Sequence, residues 1–311
     1  MRPYLLTDFG TLVPNQIWAS DHDQHDVWVR NDFFSGVSAN AALRPWLTAV
    51  IDMRSRKIVG TAWSASPSSH TISSALRVGI ADFGIPQILD VDTGKDYEKV
   101  GQIGFSPECS GVLVRLRIQP QYCLPKHPQS KLIEGWFGTV RKRFDRLWPS
   151  YCGADPKDRP EPCTAALKEH QSFLNGKRRN SLLPLASEFI ATALQWIEEY
   201  NSQHPHSGRG MKGRTPDEVF NELLLPAQRR LIESLEVLYA LFWDRQRRKV
   251  SKADVCSCTG SATNQLMARV WPSCFWRSNA MFWWPATPPI WVKPSLWTWT
   301  ADSWGGCGPR S

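Results

Sequence analysis

No run of about 18 apolar residues occurs in this chain, so nothing in it reads as a membrane-spanning helix. The opening stretch Met1-Arg2-Pro3-Tyr4-Leu5-Leu6-Thr7-Asp8 lacks the apolar centre of a signal peptide. The expectation is a cytoplasmic protein with no membrane partner. The 8 cysteines are scattered, and Cys256-Ser257-Cys258 has no matching pair at zinc spacing. A disulfide scaffold and a zinc module are therefore set aside. Negative charge is in deficit: 29 Asp and Glu against 37 Lys and Arg leave a net charge of +8. Such a balance favours an anionic partner, with nucleic acid the leading class. At 311 residues the chain can hold one large domain or two ordinary ones.

What is there begins with alternating strand and helix signals. Ile17 to Arg30 predicts a strand or hairpin, with Val27-Trp28-Val29 in its second part. Arg44 to Asp52 is apolar and β-branched, Arg54-Ser55-Arg56 turns, and Lys57 to Trp63 follows as the hairpin partner. Ile72, Ala75, Leu76, Gly79, Ile80 and Phe83 recur at helical spacing, and Gly84-Ile85-Pro86 stops that helix. Ile88 to Asp92 predicts a further strand, Gly111 to Ile118 another, and Pro120 to Pro128 a loop. Ile133, Trp136, Phe137, Val140, Phe144 and Leu147 then form a 3.6-residue stripe. Hairpin strands followed by helix, strand, strand and helix predict an α/β layer, a mixed sheet with helices packed on it.

Glu161 to about Val250 reads as mostly helical. Leu185 to Tyr200 is one helix, the capping box Thr215-Pro216-Asp217-Glu218 opens a second, and Ala227 to Phe242 is a third. Asn201 to Arg214 is a loop rich in His, Gly and basic residues. From Ala253 onward the composition changes: this stretch holds eight of the 16 Trp, four of the 8 Cys and only six charged residues. Phe282-Trp283-Trp284-Pro285 and Trp297-Thr298-Trp299 offer neither a patterned face nor turn chemistry. The stretch reads as the product of a shifted reading frame, or else as a Trp-rich interaction tail, and is expected to be irregular and poorly ordered. The predicted divisions are a leader at 1–13, a core at 14–152, a helical segment at 153–250 and the tail at 251–311.

Three carboxylates carry most of the chemistry. Asp21 lies towards the end of the first strand, Asp92 ends another, and Glu134 sits near the start of a basic amphipathic helix. Hard divalent cations prefer such oxygen ligands, and two of them can clamp the attacking and leaving oxygens of a phosphodiester. Alternation puts Asp23 on the face of Asp21, and Asp90 on that of Asp92, so Asp23 and Asp90 are rivals for the same roles. His22 and His25 read as loop or surface histidines. Glu134 is expected to share its helix face with Gly138, Arg141 and Asp145. Lys126, Lys131, Arg141, Lys142 and Arg143 are the candidate DNA-binding residues, a basic cluster suited to phosphates.

At this point the residues resemble a family. Pro14-Asn15-Gln16-Ile17-Trp18-Ala19-Ser20-Asp21-His22-Asp23, the Arg44–Gly60 hairpin, Gly84-Ile85-Pro86 leading to Asp92-Thr93-Gly94-Lys95-Asp96-Tyr97, and Pro125-Lys126-His127-Pro128-Gln129-Ser130-Lys131-Leu132-Ile133-Glu134 look like a phage Mu-type transposase core. Tyr200-Asn201-Ser202-Gln203-His204-Pro205-His206-Ser207-Gly208 and Lys212-Gly213-Arg214-Thr215-Pro216 resemble it too. This is the integrase-like branch of the RNase H-like superfamily, whose members carry an Asp-Asp-Glu triad. The resemblance implies an RNase H-like mixed five-stranded sheet flanked by helices. It implies that Asp21, Asp92 and Glu134 are both catalytic residues and metal ligands, with two Mg²⁺ or Mn²⁺ ions as cofactor. The implied partners are DNA, as transposon ends and target, and further copies of the chain on paired ends. The implied activity is phosphodiester hydrolysis followed by strand transfer. Thr93 and Gly135 depart from the family's usual Asn and Arg beside the triad. The start near the first core strand and the odd tail make the chain resemble a truncated member. The alternatives are an inactive remnant that only binds DNA and an RNase H-like nuclease.

Overall fold

The computed structural model describes residues 8–91, 111–122, 131–153, 159–226, 229–242, 245–248 and 282–285. The chain divides into two compact units, Met1–Phe242 and Trp243–Ser311.

The first unit is organised on β1 (Ile17–Gln24). β2 (Val29–Arg30) and β3 (Ala42–Leu43) form a separate antiparallel ribbon. β4 (Trp46–Asp52) and β5 (Ile58–Ser64) form the expected hairpin. Its turn is held by the buried Asp52 carboxylate, which accepts from the Ser55 amide and hydroxyl at 2.8 and 2.7 Å and from the Asn15 amide at 2.8 Å. α1 (Ser69–Phe83) starts in a capping box between Ser68 and Thr71 and stops at Gly84, whose φ of 93° suits glycine. β6 (Ile88–Val91), the short α2 (Val112–Arg115) and β7 (Gln119–Tyr122) follow. The remaining helices are α3 (Lys131–Arg143), α4 (Glu161–Leu174), α5 (Ala186–Gln203), α6 (Pro216–Leu223) and α7 (Leu235–Phe242).

The five-stranded sheet runs β5-β4-β1-β6-β7. β5, β4 and β1 are mutually antiparallel neighbours, while β6 lies parallel to both β1 and β7. This is the mixed, helix-flanked RNase H-like sheet. Each face has its own core. Trp18, Val50, Val59 and Leu89 pack with Ile72, Ala75, Leu76 and Ile80 of α1. Ala19, Leu47, Ala49 and Ile51 pack on the other face with Ile133, Trp136, Phe137 and Val140 of α3 and Phe189, Ile190, Ala193 and Ile197 of α5. The α1 face closes through glycine: a Cβ on Gly60 would collide with the Ala75 carbonyl oxygen. The edge strand β5 is tied to α5 by Asn201, whose amide bonds the Ile58 N–H and carbonyl at 2.9 Å each.

Several expectations are corrected. The chain after β1 does not fold back on it, because Val29–Arg30 pairs with Ala42–Leu43. The strand expected at Gly111 to Ile118 is instead α2, and the fifth strand begins at Gln119. The apolar run there is ambiguous between strand and helix. Val112, Leu113 and Leu116 are buried while Val114 is exposed, which is a helical spacing. Pro120 to Tyr122 belong to β7, and the rest of the expected loop, 123–128, lies outside the described residues. The third late helix is limited to Leu235–Phe242, with the Ser234 hydroxyl accepting from the Val237 amide at 3.2 Å. Upstream of it Arg230 is extended: its carbonyl accepts from Ile85 N–H at 2.8 Å, and its guanidinium donates to the Leu116 and Pro86 carbonyls. Leu147 leaves the apolar stripe and is exposed, because α3 stops at Arg143 and a 3₁₀ turn follows.

In the second unit β8 (Arg245–Arg248) pairs antiparallel with β9 (Phe282–Pro285). The tail's Phe282-Trp283-Trp284-Pro285 is thus a strand, where no regular element was expected. The rest of the tail lies outside the described residues.

Candidate active site

The register of β1 decides what it can present. Trp18 is fully buried on the α1 face, and its indole N–H donates to Asn15 Oδ1 at 3.1 Å. Ala19 is buried on the α3 face. Alternation then turns Asp21 and Asp23 towards the α3 side, where β1 leaves the core and its residues become half-buried. The Asp21 carboxylate accepts from the His22 amide at 2.7 Å.

β6 runs parallel to β1 with Ala19 opposite Asp90 and Ser20 opposite Val91. Val91 closes β6, and Asp92, the next residue, lies outside the described residues. The paired residues Ser20 and Val91 are therefore the chain neighbours of Asp21 and Asp92. Glu134 is exposed in the first turn of α3, the helix whose apolar side covers Ala19 and Ala49. Among the described residues no three His, Cys, Asp or Glu side chains come together as a metal-holding group. The donor chemistry nevertheless suits a hard divalent cation: Asp21 and Glu134 offer carboxylate oxygens, and neither is sealed in the core.

The rivals of the sequence reading sit differently. Asp90 is buried under the sheet face. Asp23 is ion-paired with Arg141 of α3. Burial pushes the Asp23 carboxyl above the ordinary aspartate range, and Arg141 works against that shift. Asp26 bonds Arg44 at 2.5 Å and lies 3.9 Å from Arg141 Nε, so Arg141 bridges two carboxylates. Burial also pushes Asp26 up, with Arg44 opposing.

His22 and His25 are not surface histidines. The His22 ring bonds the Thr48 hydroxyl at 2.7 Å from within β1. His25 is buried, its Nδ1 lies 2.8 Å from Asp145 Oδ1, and its ring meets Phe189 edge-on at 4.9 Å. Nor does Asp145 share a solvated face with Glu134. It lies past the end of α3, is fully buried, and accepts from the Asp26 amide at 2.8 Å. Nothing local signals this, because its partners are about 120 residues away in the chain.

Of the basic candidates, Lys142 and Arg143 are exposed on α3, and Arg143 also reaches His204 Nδ1 at 3.1 Å. Arg141 is half-exposed and already engaged with Asp23. Lys131 opens α3, and Lys126 lies outside the described residues.

No protein-family model matches the chain. Over 148 residues it is 27% identical to the transposase of transposon Tn552 from Staphylococcus aureus, a stretch covering 44% of this chain and 28% of that protein. The matched region thus spans under a third of that relative's length. Among solved structures, the chain is similar to the simian T-cell lymphotropic virus intasome in complex with PP2A regulatory subunit B56 gamma, with 16% identity, 72% of this chain and 59% of that chain covered, and a TM-score of 0.40. It is also similar to the HTLV-2 integrase catalytic core domain in complex with magnesium, with 14% identity, 67% and 97% covered, and a TM-score of 0.36. No described helix is long and apolar enough to cross a membrane.

Proposed function

We propose that this chain is the catalytic core of a DNA transposase of the integrase-like kind, and that Asp21, Asp92 and Glu134 are its metal-holding triad. The observation that carries the reading is the parallel pairing of Ser20 with Val91, one residue short of both aspartates, beside a helix bearing Glu134. The partial likeness to a transposase supports it.

The three carboxylates would hold a pair of Mg²⁺ or Mn²⁺ ions, which when bound polarise a phosphodiester and stabilise charge on the attacking and leaving oxygens. The chain's own groups do the rest. Asp21 is offered from a rigid central strand, so its carboxylate is fixed before substrate arrives. Pairing with Arg141 withdraws Asp23 from competition for the cation. Lys142 and Arg143 on the exposed side of α3 neutralise backbone phosphates near the scissile bond. In the first step water attacks a phosphorus at the transposon end, and the departing 3′-oxygen takes up a proton. In the second, that 3′-hydroxyl loses its proton and attacks a target phosphorus, one P–O bond forming as another breaks. Copies of the chain acting on paired ends, in the cytoplasm or nucleoid, complete the proposal.

Incubating the full chain with Mg²⁺, transposon-end oligonucleotides and a plasmid tests it. Joined products are expected, and Asp21→Asn should lower their yield by at least about 10²-fold. Nicks without joining would point to a nuclease. Retained DNA binding with no cleavage, or an Asp21→Asn variant as active as the parent, would overturn the reading.

A further inference from the structure

We propose that Asp145 is a positioning residue that sets the helix carrying Glu134 against the strand carrying Asp21. The inference rests on the triad reading above and adds to it a residue that touches neither cation nor DNA.

The observations form one connected set. Asp145 is fully buried, yet it is a carboxylate, and such a group is retained in a core only with its lone pairs occupied. Both Oδ atoms are used: Oδ1 by the His25 ring and Oδ2 by the Asp26 amide, each at 2.8 Å. These partners follow directly on the end of β1, four and five residues beyond Asp21. Asp145 itself follows α3 by two residues. It therefore joins the C-terminal end of α3 to the end of β1 by polar bonds of fixed direction. The rest of α3 is held to the sheet by Ile133, Trp136, Phe137 and Val140, through contacts that carry no comparable directionality. Arg141 adds a second tie to Asp23 and Asp26, but it is half-exposed and so screened by solvent.

The donor role of His25 Nδ1 follows from the same geometry. Nδ1 donates to the Asp145 carboxylate, and Nε2 is buried with no hydrogen-bond partner among the described residues. In Asp145→Asn an amide N–H₂ facing Nδ1 would set donor against donor and lose this bond. Turning the Asn the other way would instead lose the acceptor at the Asp26 amide. Either arrangement loosens the join. Groups that orient metal ligands in this indirect way commonly change metal affinity by about 10- to 100-fold.

Calorimetric titration of Mn²⁺ into the full chain, with thermal unfolding measured alongside, tests the proposal without requiring turnover. The parent is expected to bind Mn²⁺ and Asp21→Asn to lose that binding. Asp145→Asn should bind about tenfold more weakly while its far-UV circular dichroism stays that of the parent. Because Asp145→Asn can fail to fold, His25 supplies the second pair of variants. His25→Leu keeps apolar packing against Phe144 and Phe189 but removes the donor, and should weaken Mn²⁺ binding about tenfold. His25→Asn retains a donor near the position of Nδ1 and should restore binding to within about threefold of the parent. If His25→Leu and any folded Asp145→Asn bind like the parent while Asp21→Asn does not, Asp145 is structural only and the proposal fails alone. If the parent and Asp21→Asn do not differ, the triad reading fails, and this inference with it.

Discussion

On the α1 face of the sheet, Trp18, Val50, Val59 and Leu89 meet Ile72, Ala75, Leu76 and Ile80, all of them apolar. On the α3 face the same strands turn Ala19, Ala49 and Ile51 to an aromatic cluster, and then, as β1 leaves the core, Asp21 and Asp23. One face is closed by shape: Gly60 and Gly79 let α1 approach until backbone nearly touches backbone. The other is closed by shape and by charge, with Asp145 and Arg141 tying the end of α3 to the end of β1. The contrast teaches that both faces carry an apolar core, while the candidate chemistry is confined to the exposed rim of the α3 face. Substitutions on the α1 side should act on folding, and those at the exposed rim of the α3 side on metal and DNA.

The largest effect is expected from Trp18→Ala. It removes a fully buried indole and its bond to Asn15, and should cost about 3–5 kcal/mol in urea unfolding. Gly60→Ala should cost about 1–3 kcal/mol, because the added methyl meets the Ala75 carbonyl oxygen, which is backbone and cannot swing aside. If either variant unfolds like the parent, close packing on the α1 face is not what holds it.

The sequence made one face more legible than the other. The stripe Ile72, Ala75, Leu76, Ile80 and the hairpin around Arg54-Ser55-Arg56 are local patterns, and the structure has them where they were expected. Asp21 and Glu134 also carry local signals, a polar residue just beyond a strand's apolar run and an acidic one in a first helical turn. His25 and Asp145 carry none, because each acquires meaning only when residues about 120 positions apart are brought together. The apolar run at Val112 fits two periods equally, and only its burial pattern separates them.

A smaller effect concerns pH. His206 lies among Tyr200, His204, Arg56 and Arg143, and burial together with those cations pushes its pKa down to about 4. The unfolded chain takes up a proton at this residue near pH 6.5, the folded chain only near pH 4. Between those values the unfolded state binds more protons, so stability should fall as pH drops through this window. Burial depresses His204 and His170 in the same direction. For the half-exposed His206 ring the loss should be on the order of 1 kcal/mol, since solvent screens part of the interaction. His206→Gln should flatten the dependence between pH 6.5 and 4.5, and an unchanged slope would remove His206 from the account.

The smallest effect on folding is expected at Glu134, and there the division between faces is sharpest. Its side chain is exposed, and its only evident structural merit is a carboxylate in a first helical turn, worth about 0.3–1 kcal/mol at most. Glu134→Gln should therefore shift unfolding by less than about 1 kcal/mol. On the triad reading it should nevertheless lower metal-dependent strand joining by about 10²-fold or more, a loss of the same order as that of Asp21→Asn. Lys142→Ala, about two turns further along the same helix, gives the matching control: joining persists at low salt, while the slope of DNA affinity against salt concentration falls by about one. A Glu134→Gln chain that joins DNA normally would remove the helix from the site. One that unfolds readily would make Glu134 part of the scaffold and erase the distinction between the two faces.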